Sequence, residues 1–175
     1  MTLPVRGREL IVLVTLLSGL MLSACGSDGS DPDLDIGSTK PAADTDVKAI
    51  TALYDQYWDL TIQSENSATV DENTFKGVLV GPRLERFGRK IDNYRKQNLK
   101  RVGEPAVTDV EVTVTGDTAK ILACLNEDKW RAEIDGKLIP PPEVLGNVGT
   151  GATAERRDGT WILTDLGGGD NDRCD

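Results

Sequence analysis

The chain has 175 residues, with 20 basic and 29 acidic side chains, a net charge of −9 and no histidine. This length suits one domain with a hydrophobic core, and the acidic balance argues against nucleic acid as a partner. The lack of histidine excludes Ser-His-Asp and Cys-His catalytic systems and imidazole metal sites.

The first segment is typical of an export signal. Arg6 and Arg8 precede an apolar run, LIVLVTLLSGLML, over residues 10–22. A run this short does not comfortably span a bilayer, and a buried core helix would need a polar outer side that it lacks. A charged start, a short apolar run and small residues before a cut are the pattern of a signal peptide. We therefore predict a signal peptide over residues 1–24.

The apolar run ends in LSAC, residues 22–25, which resembles the lipobox of bacterial lipoproteins. In that family the cysteine thiol receives a diacylglyceryl group and the chain is cut before the cysteine. The resemblance implies that Cys25 is the lipidated first residue of the mature protein. Two acyl chains give a stable anchor, so the protein is expected on the outer face of the cytoplasmic membrane after export.

The cysteine count fits this interpretation. Cys25, Cys124 and Cys174 are an odd set, and in an exported chain one of them needs a separate explanation. If Cys25 carries lipid, Cys124 and Cys174 remain as a pair for a disulfide bond in an oxidising compartment. Two buried free thiols are the alternative.

Residues 25–46 are rich in Gly, Ser and Pro and contain six Asp against the single Lys40, which predicts a flexible acidic linker and a folded domain over residues 47–175. The domain opens with apolar and aromatic residues at helical spacing. This stripe consists of Val47, Ile50, Tyr54, Tyr57, Trp58 and Thr61. It is either core, which is the commoner role, or it lines a ligand pocket through Tyr54, Tyr57 and Trp58.

Two further helices are expected, one over residues 72–80 and one from Pro82 to about Asn98. The second carries an excess of positive charge that continues just beyond its end, with Glu85 and Asp92 as the only acids. The basic residues are Arg83, Arg86, Arg89, Lys90, Arg95, Lys96, Lys100 and Arg101. They form either a solvated face or a contact to an anionic surface such as lipid headgroups or wall polymers.

After Gly103 the pattern becomes alternating, which predicts strands. A hairpin turn at Gly116-Asp117 would pair Val114 with Ala119, Val112 with Ile121 and Val110 with Ala123. Cys124 would then lie on the opposite face, where a C-terminal tail could bring Cys174.

Another strand is expected at residues 130–134, followed by a break at the prolines of IPPPE. The GNVGTG segment is interpreted as a flexible loop, because it lacks the Lys-Ser/Thr of a phosphate loop. A last hairpin at Asp158-Gly159 places Trp161 and Leu163 opposite Arg156 and Ala154.

Helices followed by a meander of strands predict an α+β domain, with N-terminal helices packed on a curved antiparallel sheet. Three pieces, ITALYDQYWDL, GDTAKILACLNED and RRDGTWILTDL, together with a Cys near the end, resemble the cone-shaped nuclear transport factor 2-like, or SnoaL-like, superfamily. The similarity is to small actinobacterial lipoproteins that carry this domain. The irregular PPPEVLGNVGTG segment departs from the pattern.

That superfamily includes isomerases, cyclases, dehydratases and non-catalytic binding domains, so the fold does not decide the function. Asp55, Asp59, Glu127 and Asp128 are available for acid–base chemistry beside the tyrosines, but no spacing among them supports it. We assign no catalytic residue, no metal and no cofactor.

We expect a non-catalytic module that binds a small apolar ligand or an envelope protein. The alternatives are a histidine-free isomerase or dehydratase acting on a small apolar substrate, and a structural component of an envelope complex. A deep apolar pocket with a buried acid at its floor would favour the enzyme, whereas a filled cone would favour the interaction module.

Overall fold

The computed structural model describes residues 40–71, 73–141 and 146–174. The expected signal peptide, Cys25 and residues 26–39 of the expected linker lie outside these ranges. Helix α1 spans Lys40–Ser67 and helix α2 spans Pro82–Lys96. In the described part of the chain, no helix combines the length and the hydrophobicity that crossing a membrane requires.

Helix α1 includes residues 40–46, which the sequence analysis assigns to the linker. Its first turns are held by a tertiary contact, because the Asp46 carboxylate accepts a hydrogen bond from Trp161 Nε1 at 3.1 Å and pairs with Arg156 at 2.5 Å. The hydrogen bond from the indole and the Arg156 guanidinium hold the pKa of Asp46 below its usual value. The carboxylate form is therefore favoured in the folded domain.

Residues 73–78 form turns and Leu79 forms an isolated bridge to Leu163, so the helix predicted over residues 72–80 is wrong. Gly77 has a φ of 78°, which is incompatible with a continuing helix. Instead, Leu163 N donates to the Val78 carbonyl at 2.9 Å, and Val80 N donates to the Leu163 carbonyl at 3.1 Å. Phe75 and Leu79 are thereby brought into the core.

Helix α2 begins at its proline, as predicted, and ends two positions before the expected Asn98. Pro82 suits the first turn of a helix, where its missing N–H costs nothing. Phe87 and Ile91 are buried on the predicted inner face, with Leu84 and Tyr94 partly buried beside them. Arg86, Arg89, Lys90, Arg95 and Lys96 are exposed on this helix.

The strands form two antiparallel sheets. The smaller has the order β1-β4-β5, with β1 at Leu99–Val102, β4 at Arg131–Ile134 and β5 at Lys137–Leu138. The larger has the order β2-β3-β6-β7, with β2 at Ala106–Thr115, β3 at Thr118–Asn126, β6 at Asn147–Arg157 and β7 at Thr160–Gly168. With the two helices they make the expected α+β domain.

The β2–β3 hairpin has the predicted register next to its turn, with Val114 opposite Ala119 and Val112 opposite Ile121. The predicted pairing of Val110 with Ala123 is wrong, because the register shifts between Thr108 and Glu111. Thr108 lies opposite Cys124 and Glu111 opposite Leu122, so β2 carries one extra residue there, which is a β-bulge.

The β6–β7 hairpin confirms the second predicted turn, with Arg156 opposite Trp161 and Ala154 opposite Leu163. The GNVGTG segment is a strand and not the predicted loop, since β6 begins at Asn147 and pairs with β3. Its glycines permit close approach: a Cβ at Gly149 would lie 2.4 Å from the Asp170 carbonyl oxygen, and one at Gly151 would lie 2.5 Å from that of Ile121.

The core lies between the helices and the larger sheet. Its largest fully buried apolar side chains are Tyr54, Phe75, Ile50, Leu79, Ile91, Ile121 and Leu163. On the other face of β3, the predicted disulfide bond joins Cys124 to Cys174, which follows the short 3₁₀ helix Asn171–Arg173. Both half-cystines are buried, so the C-terminal segment is fixed against the sheet.

Candidate functional site

The aromatic side chains of α1 lie in the packed core. Tyr54 and Tyr57 are buried and Trp58 is partly buried, with ring centroids of Tyr57 and Trp58 5.6 Å apart. Burial raises the pKa of Tyr57 to about 12 and raises that of Tyr54, so both phenols stay neutral at neutral pH. These side chains belong to the core between the helices and the larger sheet, and their role as walls of a ligand pocket stays a prediction.

A buried acid beside this cluster was not identified from the sequence. The Glu65 side chain is 2% exposed and is bound by Lys90 Nζ at 2.6 Å and by the Tyr94 hydroxyl, which donates at 3.2 Å. Burial, followed by the charge of Glu65, raises the pKa of Tyr94. Glu65 continues the stripe of α1 one turn beyond Thr61, where the sequence analysis stopped, so the helical spacing could have revealed it.

Most of the predicted basic surface is neutralised within the domain. The pairs are Arg83–Asp165, Arg89–Glu85, Lys90–Glu65, Arg95–Asp92, Lys100–Glu133 and Arg101–Glu127. Only Arg86 and Lys96 of the eight form no ion pair with another described residue. Exposed pairs of this kind reduce the local positive charge, so a contact to an anionic surface stays a prediction with fewer free charges to support it.

A groove of about 280 Å³ opens where the smaller sheet meets the segment that follows β5. We call it the Trp130 groove. It is lined by Arg101, Glu127, Trp130, Arg131, Ala132, Ile139, Pro140 and Pro141. The antiparallel pairing of β1 with β4 builds it, because this register sets Arg101 opposite Ala132. Apolar side chains provide most of its surface, with charged groups at its border.

The indole of Trp130 is fixed from three sides. Its Nε1 donates to Asn66 Oδ1 at 2.8 Å, and Asn66 Nδ2 donates in turn to the Gly103 carbonyl at 2.8 Å. The Arg101 guanidinium lies over the indole ring, 4.2 Å from its centroid, and donates to the Trp130 carbonyl. On the core side, Trp130 meets Trp58 edge to face at 6.5 Å. The groove is therefore preformed.

Two cations and one anion border the groove. Glu127 lies 3.4 Å from Arg101 Nη2, and Arg131 Nη2 donates to the Ile139 carbonyl at 3.2 Å. The Nε atoms of Arg101 and Arg131 are buried and meet no acceptor in the described part of the chain. Trp130 itself is only 3% exposed, so the apolar surface open to a ligand comes from Ile139, Pro140 and Pro141. Such a surface, bordered by guanidinium groups, suits binding. The one carboxylate of the groove is engaged by Arg101.

Of these residues, the sequence predicts Arg101 as a basic surface residue and Glu127 as an available acid. Trp130, Arg131 and Ile139 were missed as site residues. Tyr54, Tyr57 and Trp58 were expected in a pocket, and the structure brings only Trp58 near the groove, through its contact with Trp130.

Comparison with family models and with curated proteins gives no match. Solved structures do match. The Kfla4162 protein from Kribbella flavida is 21% identical, with 71% of this chain and 89% of that chain covered and a TM-score of 0.48. A protein described as a dehydratase of the NTF2-like family from Streptomyces avermitilis is 19% identical, with coverages of 70% and 94% and a TM-score of 0.41. An NTF2-like protein from Exiguobacterium is 17% identical, with coverages of 65% and 96% and a TM-score of 0.30. We base the functional proposal on the residues of this chain.

Proposed function

We propose that the protein is an exported, lipid-anchored binding protein, and that its domain takes a small, largely apolar ligand in the Trp130 groove without catalysing a reaction. The observation that carries this proposal is the preformed groove itself: an aromatic side chain held by Asn66 and Arg101, with an apolar wall open to solvent. Concave, mostly apolar sites with a few fixed polar groups are typical of small-molecule binding.

The packing of the core supports binding over catalysis. Tyr54, Phe75 and Ile121 fill the space between the helices and the larger sheet. The buried acid that an enzyme would need is Glu65, and Lys90 and Tyr94 already bind its carboxylate. A general base must reach a substrate proton, and an engaged, buried carboxylate is poorly placed to do so.

The anchor is tested by replacing Cys25 with Ser. We expect the variant to lose incorporation of labelled fatty acid and to leave the membrane fraction, because the hydroxyl of Ser does not take the place of the lipidated thiol. Cells expressing the chain are grown with labelled palmitate, and the protein is followed by gel and by fractionation. The control carries Cys124→Ala and Cys174→Ala and should keep its label. Unchanged labelling of the Cys25 variant would refute the anchor.

The groove is tested with 4-phenylbutanamide, a neutral probe of suitable size. We expect it to shift the indole NMR signal of Trp130 in the full chain in detergent solution, and Ile139→Ser to weaken binding about fivefold, because part of the apolar wall is lost. Val148→Ser is the matched control, since Val148 is 48% exposed and Ile139 is 38% exposed, and Val148 does not line the groove. Equal losses in both variants would contradict the proposed site.

A further inference from the structure

We propose that the ligand of the Trp130 groove carries a single carboxylate, which binds at the guanidinium of Arg131 while the apolar part of the ligand packs against Ile139 and Pro140. This inference rests on the proposed function and adds the chemical class of the ligand. It starts from hydrogen-bond donors that the groove leaves unused.

Arg131 has donors to spare at the border of the groove. The register of β4 places Arg131 opposite Val102, on the other face from Ala132, yet its guanidinium reaches the carbonyl of Ile139, a residue of the groove wall. This one hydrogen bond, at 3.2 Å, leaves the buried Nε without an acceptor. The guanidinium keeps further Nη N–H donors beside the groove, and a ligand carboxylate oxygen can accept from them.

Arg101 adds a second guanidinium beside the groove. Its Nη2 is used by the Trp130 carbonyl and lies near Glu127, whereas its Nε is buried without an acceptor. Arginine presents its N–H groups in a planar fork that fits carboxylate and phosphate oxygens.

The net charge of the groove favours a ligand with one negative charge over a ligand with two. Arg101 and Arg131 contribute two positive charges, and Glu127 contributes one negative charge, so a monoanion balances the site. A phosphate dianion would leave an uncompensated negative charge beside Glu127. The volume of about 280 Å³ holds a molecule on the order of a dozen non-hydrogen atoms, which indicates a small organic acid.

The experiment compares 4-phenylbutanoate with 4-phenylbutanamide and 4-phenylbutylphosphonate, all followed by the Trp130 indole signal of the full chain. We expect the carboxylate to bind about tenfold more tightly than the amide, as a charge-assisted hydrogen bond would give, and more tightly than the phosphonate. Arg131→Gln should reduce the preference for carboxylate over amide to about twofold. Arg157→Gln is the control, because Arg157 pairs with Glu155 and does not line the groove.

Glu127→Gln should increase the affinity for the carboxylate, and damage to the fold would not produce such an increase. Removing this negative charge should tighten carboxylate binding several-fold and raise the preference for carboxylate over amide. If the amide and the carboxylate bind equally well in an Ile139-dependent manner, the carboxylate inference is overturned and the proposed function stands. If the preference survives Arg131→Gln, the assignment to Arg131 is overturned. If no probe moves the Trp130 signal at millimolar concentration, both proposals fall.

Discussion

Replacing both Cys124 and Cys174 with Ala should lower the free energy of unfolding by about 4 kcal/mol. The disulfide bond closes a loop with a sequence separation of 50 residues. In the chain-entropy model, closing a loop of this length lowers the entropy of the unfolded state by an amount equivalent to about 4 kcal/mol. Alanine suits both positions because each half-cystine is buried. Urea unfolding of the exported chain and of the variant measures the difference.

The same bond can be removed without a substitution. In excess reductant the native chain should fall to the stability of the double variant, whereas the variant should not respond. The C-terminal segment would then be held by weaker contacts, such as the hydrogen bond from Gly149 N to Asn171 Oδ1 at 2.8 Å. A native chain that keeps its unfolding midpoint after complete reduction would show that the disulfide bond contributes little.

The hairpins were predictable because their turns are local. Gly116-Asp117 and Asp158-Gly159 are two-residue turn sequences, and a two-residue turn sets the register of the strands it joins. The prediction for β2 failed only beyond the bulge. There Asp109 has a φ of 53° and its carbonyl accepts from Arg173 Nη2 at 2.9 Å, a contact between distant parts of the chain that a local pattern does not contain.

Contacts between distant parts of the chain also explain the two segments near the helices that differ from the sequence predictions. The first turns of α1 depend on Asp46 binding to the β6–β7 hairpin, although their composition resembles a linker. The segment around Leu79 has the apolar spacing of a short helix, but it bridges to Leu163 in β7. Tertiary partners override local preference in both cases.

Residues 146–151 are rich in glycine, which is typical of the loop predicted there. Gly149 and Gly151 resemble loop residues in the sequence, yet they lie in β6, where other backbone segments come too close for a side chain. Glycine in a strand often marks such an approach. The approaching segment contains Asp170, which the disulfide bond between Cys124 and Cys174 helps to hold in place.

The candidate site was the least predictable part, since it depends on which strands pair. Arg101 and Ala132 are brought together only by the pairing of β1 with β4. Trp130 is positioned by Asn66 at the end of α1. Basic residues and an available acid could be recognised by type, but their association with one tryptophan follows from contacts between distant segments of the chain.

Gly103→Ala should be among the most damaging single substitutions near the groove, lowering the free energy of unfolding by about 3 kcal/mol. Gly103 has a φ of 88°, and a Cβ there would lie 2.1 Å from the carbonyl oxygen of Lys129. Because that oxygen belongs to the backbone, the turn leading to Trp130 must move. The Gly103 carbonyl also accepts from Asn66, the residue that binds the Trp130 indole.

Gly159→Ala is the control for Gly103→Ala. It has the backbone strain of a positive φ without the steric clash that a Cβ meets at Gly103. Gly159 has a similar φ of 79°, but apart from its own residue and its two chain neighbours no atom of the described residues lies within 4 Å of an added Cβ, so this variant should lose only about 1 kcal/mol. Urea unfolding compares the two variants, and the Trp130 indole signal should shift in Gly103→Ala alone, with weaker binding of 4-phenylbutanamide. Equal destabilisation of the two variants with an unmoved Trp130 signal would mean that the turn at Gly103 does not position Trp130. The tryptophan would then depend on Asn66 and Arg101 for its place in the groove.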